Sequence, residues 1–268
     1  MSAQFSEDIT DVYHRLLGPL IFEEYAVDLA ACAVAPEGGA ILETACGTGI
    51  VTRHLRRRFA GRARIVATDI SEGMLTYAAE RLPETDGLEY RSADATALPF
   101  EDGAFDAVLC QFGVMFFPDE AAGMAEARRV LKPGGRFLFS LWDSLAQNEL
   151  AGLVHDRLIE EFPDDPPGFL NVPFGVRALD EVRHMLAGAG FGDVHMSVLP
   201  RMSRAARARD AVEGLLCGSP MRVQLAERGV DDPLPLIDRM TEAVVAAYGD
   251  SPVEARMQAI RIEAVVPA

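Results

Sequence analysis

From residue 40 to residue 141, short β-rich runs alternate with helix-length segments, and that alternation leaves few folds open to the chain. The runs are Ile41-Leu42, Arg64-Ile65-Val66-Ala67, a weaker Glu89-Tyr90-Arg91-Ser92-Ala93, Ala104-Phe105-Asp106-Ala107-Val108-Leu109-Cys110 and Arg136-Phe137-Leu138-Phe139-Ser140-Leu141. Helical spacing fills residues 51–59, 73–82 and 121–130 between them. Repeated βα units demand crossovers, so the expected fold class is α/β, with a parallel sheet covered on both faces. In Leu131-Lys132-Pro133-Gly134-Gly135, proline then glycine stand where a type II turn wants them, delivering the chain into the fifth strand.

The flanks follow other rhythms. Residues 1–35 read as helical, with Tyr13, Leu16, Leu17, Leu20, Ile21, Tyr25 and Leu29 on one stripe and a break expected near Gly18-Pro19. After Trp142 a helix over 149–162 is followed by a Pro-rich excursion at 163–168. A helix over 179–189 ends at Gly190, and a strand is expected at 194–199. Residues 203–250 look mostly helical, broken near Gly218-Ser219-Pro220 and 231–235, before a last strand at 259–266.

Chemistry concentrates where the first strand ends, in Glu43-Thr44-Ala45-Cys46-Gly47-Thr48-Gly49-Ile50. A strand running through glycines into a helix exposes backbone N–H groups to which a ligand can come close. The third glycine of the dinucleotide fingerprint is absent, since Ile50, Val51 and Thr52 follow Gly49. Glu43 would repel a pyrophosphate and suits a cationic group better. Asp69 and Asp94 stand at the ends of the second and third strands, 26 and then 25 residues on, one βα unit each. One acid alone reads as a cap or a solvated charge. Three at successive strand ends mark the edge where open α/β sheets bind ligands, and Asp69 can take both hydroxyls of a ribose there. Asp106, at the start of its strand, reads as structural.

Charge narrows the partners. The chain of 268 residues carries a formal net charge of −16, which opposes nucleic acid or an anionic membrane as its main partner. The basic runs at Arg56-Arg57-Arg58 and Arg201, Arg204, Arg207 and Arg209 lack interleaved aromatics and read as solvated helix faces paired with acids. No secretory signal is visible at the N-terminus, and the longest apolar stretch falls short of the roughly 20 residues that span a bilayer. Cys32, Cys46, Cys110 and Cys217 lie far apart without ligand spacing, so they read as reduced thiols of a cytoplasmic protein with no metal site.

Four segments together resemble the class I S-adenosylmethionine-dependent methyltransferases, in the small-molecule branch that includes the ubiquinone/menaquinone-type enzymes. They are Glu43-Thr44-Ala45-Cys46-Gly47-Thr48-Gly49, Thr68-Asp69-Ile70-Ser71-Glu72-Gly73-Met74-Leu75, Ala93-Asp94-Ala95-Thr96-Ala97-Leu98-Pro99-Phe100 and Arg129-Val130-Leu131-Lys132-Pro133-Gly134-Gly135. The resemblance implies a Rossmann-like, seven-stranded, mostly parallel sheet with its last strand antiparallel. Helical lid elements would come from residues 1–35 and from insertions at about 143–176 and 203–255 of a domain spanning 36–268. It implies S-adenosyl-L-methionine as cofactor, with Ala45, Cys46, Gly47, Thr48 and Gly49 at its methionine end and Asp69 on the ribose. Ile70 and Met74 would cover the adenine face, and Asp94 and Ala95 its edge. Glu43 replaces the Asp more usual in the family. Tyr13 resembles a tyrosine that lies against the methionine portion, and Gln111 and Phe112 would border the reacting methyl group. The partner implied is a small molecule, and the resemblance leaves room for a homodimer.

The expected activity is methyl transfer to an O, N or C nucleophile of a small, largely apolar metabolite. Displacement at a sulfonium asks mainly for positioning and removal of a proton. His14, His155 and Asp143 are the candidate bases, in lid segments or after the fifth strand. An apolar wall is expected from Phe112, Met115, Phe116 and Phe117, and an apolar pocket from Phe22, Leu150, Leu153, Phe162, Phe169, Leu170, Phe174, Leu215 and Met221. Two other readings stay open: a cofactor-binding protein that transfers no methyl group, and a nicotinamide-dependent oxidoreductase on the same sheet.

Overall fold

The N-terminal segment sets the approach to the sheet. The computed structural model describes residues 7–85, 87–175 and 178–268; residues 1–6 of the expected lid and residue 176 of the first insertion lie outside them. Helix α1 (Glu7–Val12) runs into a π-helical stretch over Tyr13–Phe22 and then α2 (Glu23–Cys32). The break expected near Gly18-Pro19 is absent. The chain widens instead, with the Glu23 N–H donating to Gly18 O five residues back. A proline ring collides with the carbonyl four residues earlier in an α-helix, and π winding relieves that clash.

The βα units then follow in order. They are β1 (Gly39–Glu43), α3 (Ile50–Phe59), β2 (Ala63–Asp69), α4 (Glu72–Arg81), β3 (Leu88–Ser92), β4 (Phe105–Gln111), α5 (Glu120–Val130) and β5 (Leu131–Trp142). Beyond them lie α6 (Glu149–Glu161), α7 (Leu179–Gly188), β6 (Val194–Ala205), α8 (Ala208–Cys217), α9 (Met221–Glu227), α10 (Leu234–Tyr248) and β7 (Val253–Val265). The seven strands form one sheet in the order β3-β2-β1-β4-β5-β7-β6. Strands β1 to β5 pair in parallel, and β7 enters antiparallel between β5 and β6, as expected of the last strand. Ile41, Leu42, Val108 and Leu109 are fully buried, which explains why the central strands read as unbroken apolar runs.

Local chemistry holds the crossovers. Ser71 Oγ accepts from Met74 N–H to cap α4, and Asp119 caps α5 through Ala122 N–H. Gly134, with φ of +75°, takes the second central position of the Pro133-Gly134 turn. Asp106 is structural, as read: it accepts from Ala40 N–H and is paired by Lys132 at 2.9 Å, the chain's only lysine.

Two edges differ from expectation. Strand β6 continues to Ala205 and β7 begins at Val253, so the two ends of the 203–255 insertion belong to the sheet. Arg201 and Arg204 therefore lie on a strand rather than a helix, though paired with Glu24, Asp28 and Glu254 as the charge balance required. Helices α8 to α10 fill the stretch between β6 and β7. Helix α8 meets the π-helical stretch at Gly214 and Gly218, where an added Cβ would stand 3.1–3.2 Å from backbone of Tyr13 and Leu17. That closeness joins the N-terminal segment to α8.

Candidate functional site

Strand order reverses between β1 and β4, and ligands of open α/β sheets bind at such a switch point, beyond the strands' C-terminal ends. Here the chain after β1 turns through three left-handed residues: Ala45 (φ +51°), Gly47 (φ +55°) and Gly49 (φ +80°). After β4, Phe112 is also left-handed (φ +52°), with its ring stacked on Trp142 at 3.9 Å between centroids. Left-handed backbone at non-glycine residues is costly and clusters at functional sites. Ala45 and Phe112 both line one cavity of about 440 Å³, within the range of small-ligand sites.

Asp69 organises the polar end of this cavity. One carboxylate oxygen accepts from Gly47 N–H at 2.9 Å and the other from Ser71 N–H at 2.8 Å, tying the loop to the end of β2. Burial raises its pKa against the pull of these bonds. Two oxygens still have lone pairs for ligand hydroxyls. Asp94 accepts from both the N–H and the hydroxyl of Thr96, which fixes the bend after β3. Ile70, Met74, Asp94 and Ala95 line the same end, and Tyr13 and Gln111 line the middle. A Cβ at Gly47 would lie 3.8 Å from the Tyr13 hydroxyl, so the tyrosine stands over the loop. Burial pushes the Tyr13 phenol well above its usual range, keeping it neutral.

The far end is apolar. Phe116 and Phe169 face each other in near-parallel planes, centroids 6.1 Å apart, and Phe117, Trp142, Phe174 and Leu215 continue the wall. Of the apolar side chains expected there, Phe22, Phe169, Leu170, Phe174 and Leu215 line the cavity, whereas Met115, Leu150, Leu153, Phe162 and Met221 do not. Residues that the sequence reading missed include Leu17, Ile21, Trp142 and Pro220. Trp142 closes β5 as Gln111 closes β4, so its position at a strand end was the available signal.

The sequence comparisons agree with this geometry. A family model described as a methyltransferase domain matches residues 42–139. The chain is 35% identical over 230 residues to a demethylmenaquinone methyltransferase of Thermus thermophilus, covering 82% of this chain and 92% of that one. The chain belongs to the S-adenosylmethionine-dependent methyltransferases. A demethylmenaquinone methyltransferase of Clavibacter sepedonicus is 47% identical over 107 residues, a stretch covering 40% of this chain but only 42% of that relative's length. Among solved structures, Haemonchus contortus phosphoethanolamine N-methyltransferase 2, bound to phosphomonomethylethanolamine and S-adenosylhomocysteine, is similar in fold. Its TM-score is 0.64 at 17% identity, over 99% of this chain and 59% of that one. The methyltransferase's cofactor is S-adenosylmethionine, and nothing in these relatives favours an oxidoreductase or a silent binder.

Several expected site residues of the methyltransferase sit elsewhere. Glu43, only 2% exposed, lies beneath the loop and accepts from the Thr52 hydroxyl at 2.7 Å, outside the cavity lining. Burial pushes its carboxyl up to about 8, so it is mostly neutral at pH 7 and offers no charge to a ligand. Cys46, Thr48 and Gly49 also stay out of the lining; Cys46 and Thr48 are buried, and Gly49 heads α3. None of the three candidate bases lines the cavity. His14 Nδ1 meets the Thr48 hydroxyl at 3.1 Å and its ring packs on Tyr77, with burial lowering its pKa. Asp143 is bound by Ser144 N–H and Gln258 Nε2. His155 lies on α6, its Nδ1 buried without a hydrogen-bond partner. His54, on α3, pairs with Glu23 at 2.9 Å, away from the cavity lining. Among the described residues no helix is long and apolar enough to cross a membrane, and no cluster of metal-ligating side chains occurs.

Proposed function

We propose that this methyltransferase methylates a small, uncharged, planar aromatic acceptor, a reduced quinone attacked at a ring carbon. The observation carrying this is the acceptor end of the cavity. Aromatic and aliphatic side chains line it, and no Arg, Lys or His is among the described residues lining any part of the cavity. A phosphate or carboxylate placed there would lose its hydration with nothing to pair it. The phosphobase named for the Haemonchus structure is thus a poor match, whereas the quinone precursor named for the Thermus and Clavibacter relatives suits the walls.

The residues present fit the cofactor. Asp69 would take the ribose hydroxyls, Ile70 and Met74 the adenine face, and Asp94 and Ala95 its edge. The open side of Gly47 and the Ala45 turn would receive the methionine portion under Tyr13, with Gln111 and Phe112 beside it. When bound, S-adenosylmethionine supplies an electrophilic methyl group on a positively charged sulfur. The chain's own work is positioning and exclusion of water: the Phe112–Trp142 stack and Phe116 orient a flat ring, and Phe22 and Leu17 cover it. With no imidazole or amine in the lining, the acceptor must ionise by itself. A phenolic hydroxyl does so, and its anion spreads charge onto neighbouring ring carbons. Residues 1–35, with about 143–176 and 203–255, form the lid over this site in our reading.

Methyl incorporation should be measured with a 2-alkyl-1,4-naphthoquinol, phosphoethanolamine and simple primary amines as acceptors. Turnover of the naphthoquinol at a ring carbon is expected. Turnover confined to phosphoethanolamine or the amines would overturn the reading.

A further inference from the structure

The crossover from β3 to β4 differs from the two before it, which run through α3 and α4. Residues 93–104 join strands that stand three places apart in the sheet, and they do so without a helix. A stretch of this kind keeps one shape only if its backbone polar groups find partners elsewhere. It also carries part of the site, since Ala93, Asp94 and Ala95 line the cavity. Its first turn is tied to the sheet and to itself. Ala93 N–H donates to Asp69 O at 3.1 Å, and Ala97 N–H to Asp94 O at 3.0 Å. Asp94 Oδ1 is taken by the N–H and the hydroxyl of Thr96, which leaves Oδ2 for a ligand.

The far end of the turn is held from α5. Leu98 N–H donates to Glu126 Oε2 at 2.7 Å, and Leu98 O accepts from Arg129 Nη2 at 2.9 Å. Arg129 Nη1 donates to Phe100 O at 2.7 Å and to Asp102 Oδ1 at 2.8 Å. Its Nε and Nη2 meet the two oxygens of Glu126 at 2.7 and 2.8 Å. A guanidinium has five N–H donors, and these bonds use all of them. The pairing holds the Glu126 carboxyl below its usual range. A surface ion pair on one helix contributes little by itself. This one is turned onto the crossover, where it binds Leu98 at both backbone groups. Neither Arg129 nor Glu126 lines the cavity. Hydrogen bonds weaken steeply once distance and angle leave a narrow range, so reading a base edge with one carboxylate oxygen and one N–H depends on where the turn stands. Supports at Ala93 and Leu98 fix Asp94 and Ala95 between them.

We propose that the Arg129–Glu126 pair sets the selectivity for adenine over other purines, acting from outside the cavity as positioning residues for Asp94 and Ala95. The free Asp94 oxygen takes the exocyclic amino group, and the Ala95 N–H donates to the neighbouring ring nitrogen. Hypoxanthine reverses both partners, setting acceptor against acceptor and donor against donor. The inference rests on the placement of the adenine edge at Asp94 and Ala95, and adds the residues that make that contact selective.

Calorimetry with S-adenosylhomocysteine and S-inosylhomocysteine tests it. The unaltered protein should prefer the adenine compound by about a hundredfold, because two hydrogen bonds are reversed in the other. Asp94→Ala should remove most of that preference. Arg129→Lys keeps the charge but offers its donors from a single point, so it cannot span Leu98, Phe100 and Glu126 together. The preference should fall about tenfold in this variant, mainly through weaker binding of S-adenosylhomocysteine. A merely structural role would lower the urea midpoint and weaken both ligands alike, leaving their ratio unchanged. If Arg129→Lys does not fold, Glu126→Gln, which keeps an acceptor for Leu98 N–H but loses the charge facing Arg129, must lower the ratio by about threefold or more. A preference lost in Asp94→Ala but intact in the folded Arg129 or Glu126 variant overturns the proposal and leaves the edge placement standing. Equal binding of both compounds by the unaltered protein, or a preference that survives Asp94→Ala, overturns the edge placement and the proposal with it.

Discussion

Replacing Glu43 with glutamine should remove a pH dependence of stability that this one buried side chain creates. Glu43 sits under the glycine loop, and burial, with the charge of Asp69 adding to it, raises its carboxyl from 4.5 to about 8 despite the Thr52 hydrogen bond. The folded protein therefore keeps this proton at pH values where the unfolded chain has lost it. Its contribution is fully present below about pH 4.5 and is lost progressively as pH rises to about 8. The slope across that window is about 1.4 kcal/mol per pH unit, or roughly 2–3 kcal/mol between about pH 5 and 7. Glutamine keeps an oxygen for Thr52 and has no proton to lose. Urea unfolding of both proteins across the window isolates the effect, because all other titrating groups cancel in the difference. The difference should grow in favour of Glu43→Gln by that amount from pH 5 to 7. Parallel stability curves would show that Glu43 ionises normally, and the account of a neutral acid beneath the loop would be wrong.

Asp69→Ala should weaken S-adenosylhomocysteine binding by about 1.5–3 kcal/mol by calorimetry, since it loses a charged acceptor and frees the Gly47 loop; unchanged affinity in a folded variant sinks the ribose assignment. Gly47→Val should abolish cofactor binding with a native circular dichroism spectrum, because a β-branched residue strains at φ +55° and fills the open side of the loop. Tight binding by that variant would reduce the loop to a mere turn. His14→Ala and His155→Ala should each leave kcat within about twofold, as neither lines the cavity; a fall of about a hundredfold or more would restore one of them as a base. Hydrogen exchange should slow in residues 9–32 and 145–175 when S-adenosylhomocysteine is added, whereas slowing only at 44–50 would make those segments fixed packing.

Much of the cofactor side was legible in the chain itself. Strand and helix periods, the Pro133-Gly134 turn and the acids at the end of β2 and just after β3 are local signals, and Asp69 and Asp94 both line the cavity. The role of Arg129 in the fourth motif was not visible. Its guanidinium donates to the carbonyls of Leu98 and Phe100, holding the third motif in place from a helix about thirty residues away. The extent of β6 is hard to read because this edge strand alternates poorly between buried and exposed positions, whereas β7 alternates cleanly from Val253 to Met257 and its early start was there to be found.

The chain alone carries the order of the elements and the carboxylates at the ends of β1 and β2 and just after β3, since propensity, periodicity and turn chemistry act over a few residues. Tertiary structure alone decided which way the side chains face. Glu43 turns under the loop to Thr52 instead of toward a ligand, and His14, His155 and Asp143 are drawn to partners or packing away from the cavity. Tertiary structure also assembled the acceptor end, where Ile21, Trp142, Phe174 and Leu215 come from four distant segments. Contacts across such separations depend on how helices rotate and lie against the sheet, and that is set by packing of the whole core rather than by any local stretch of chain.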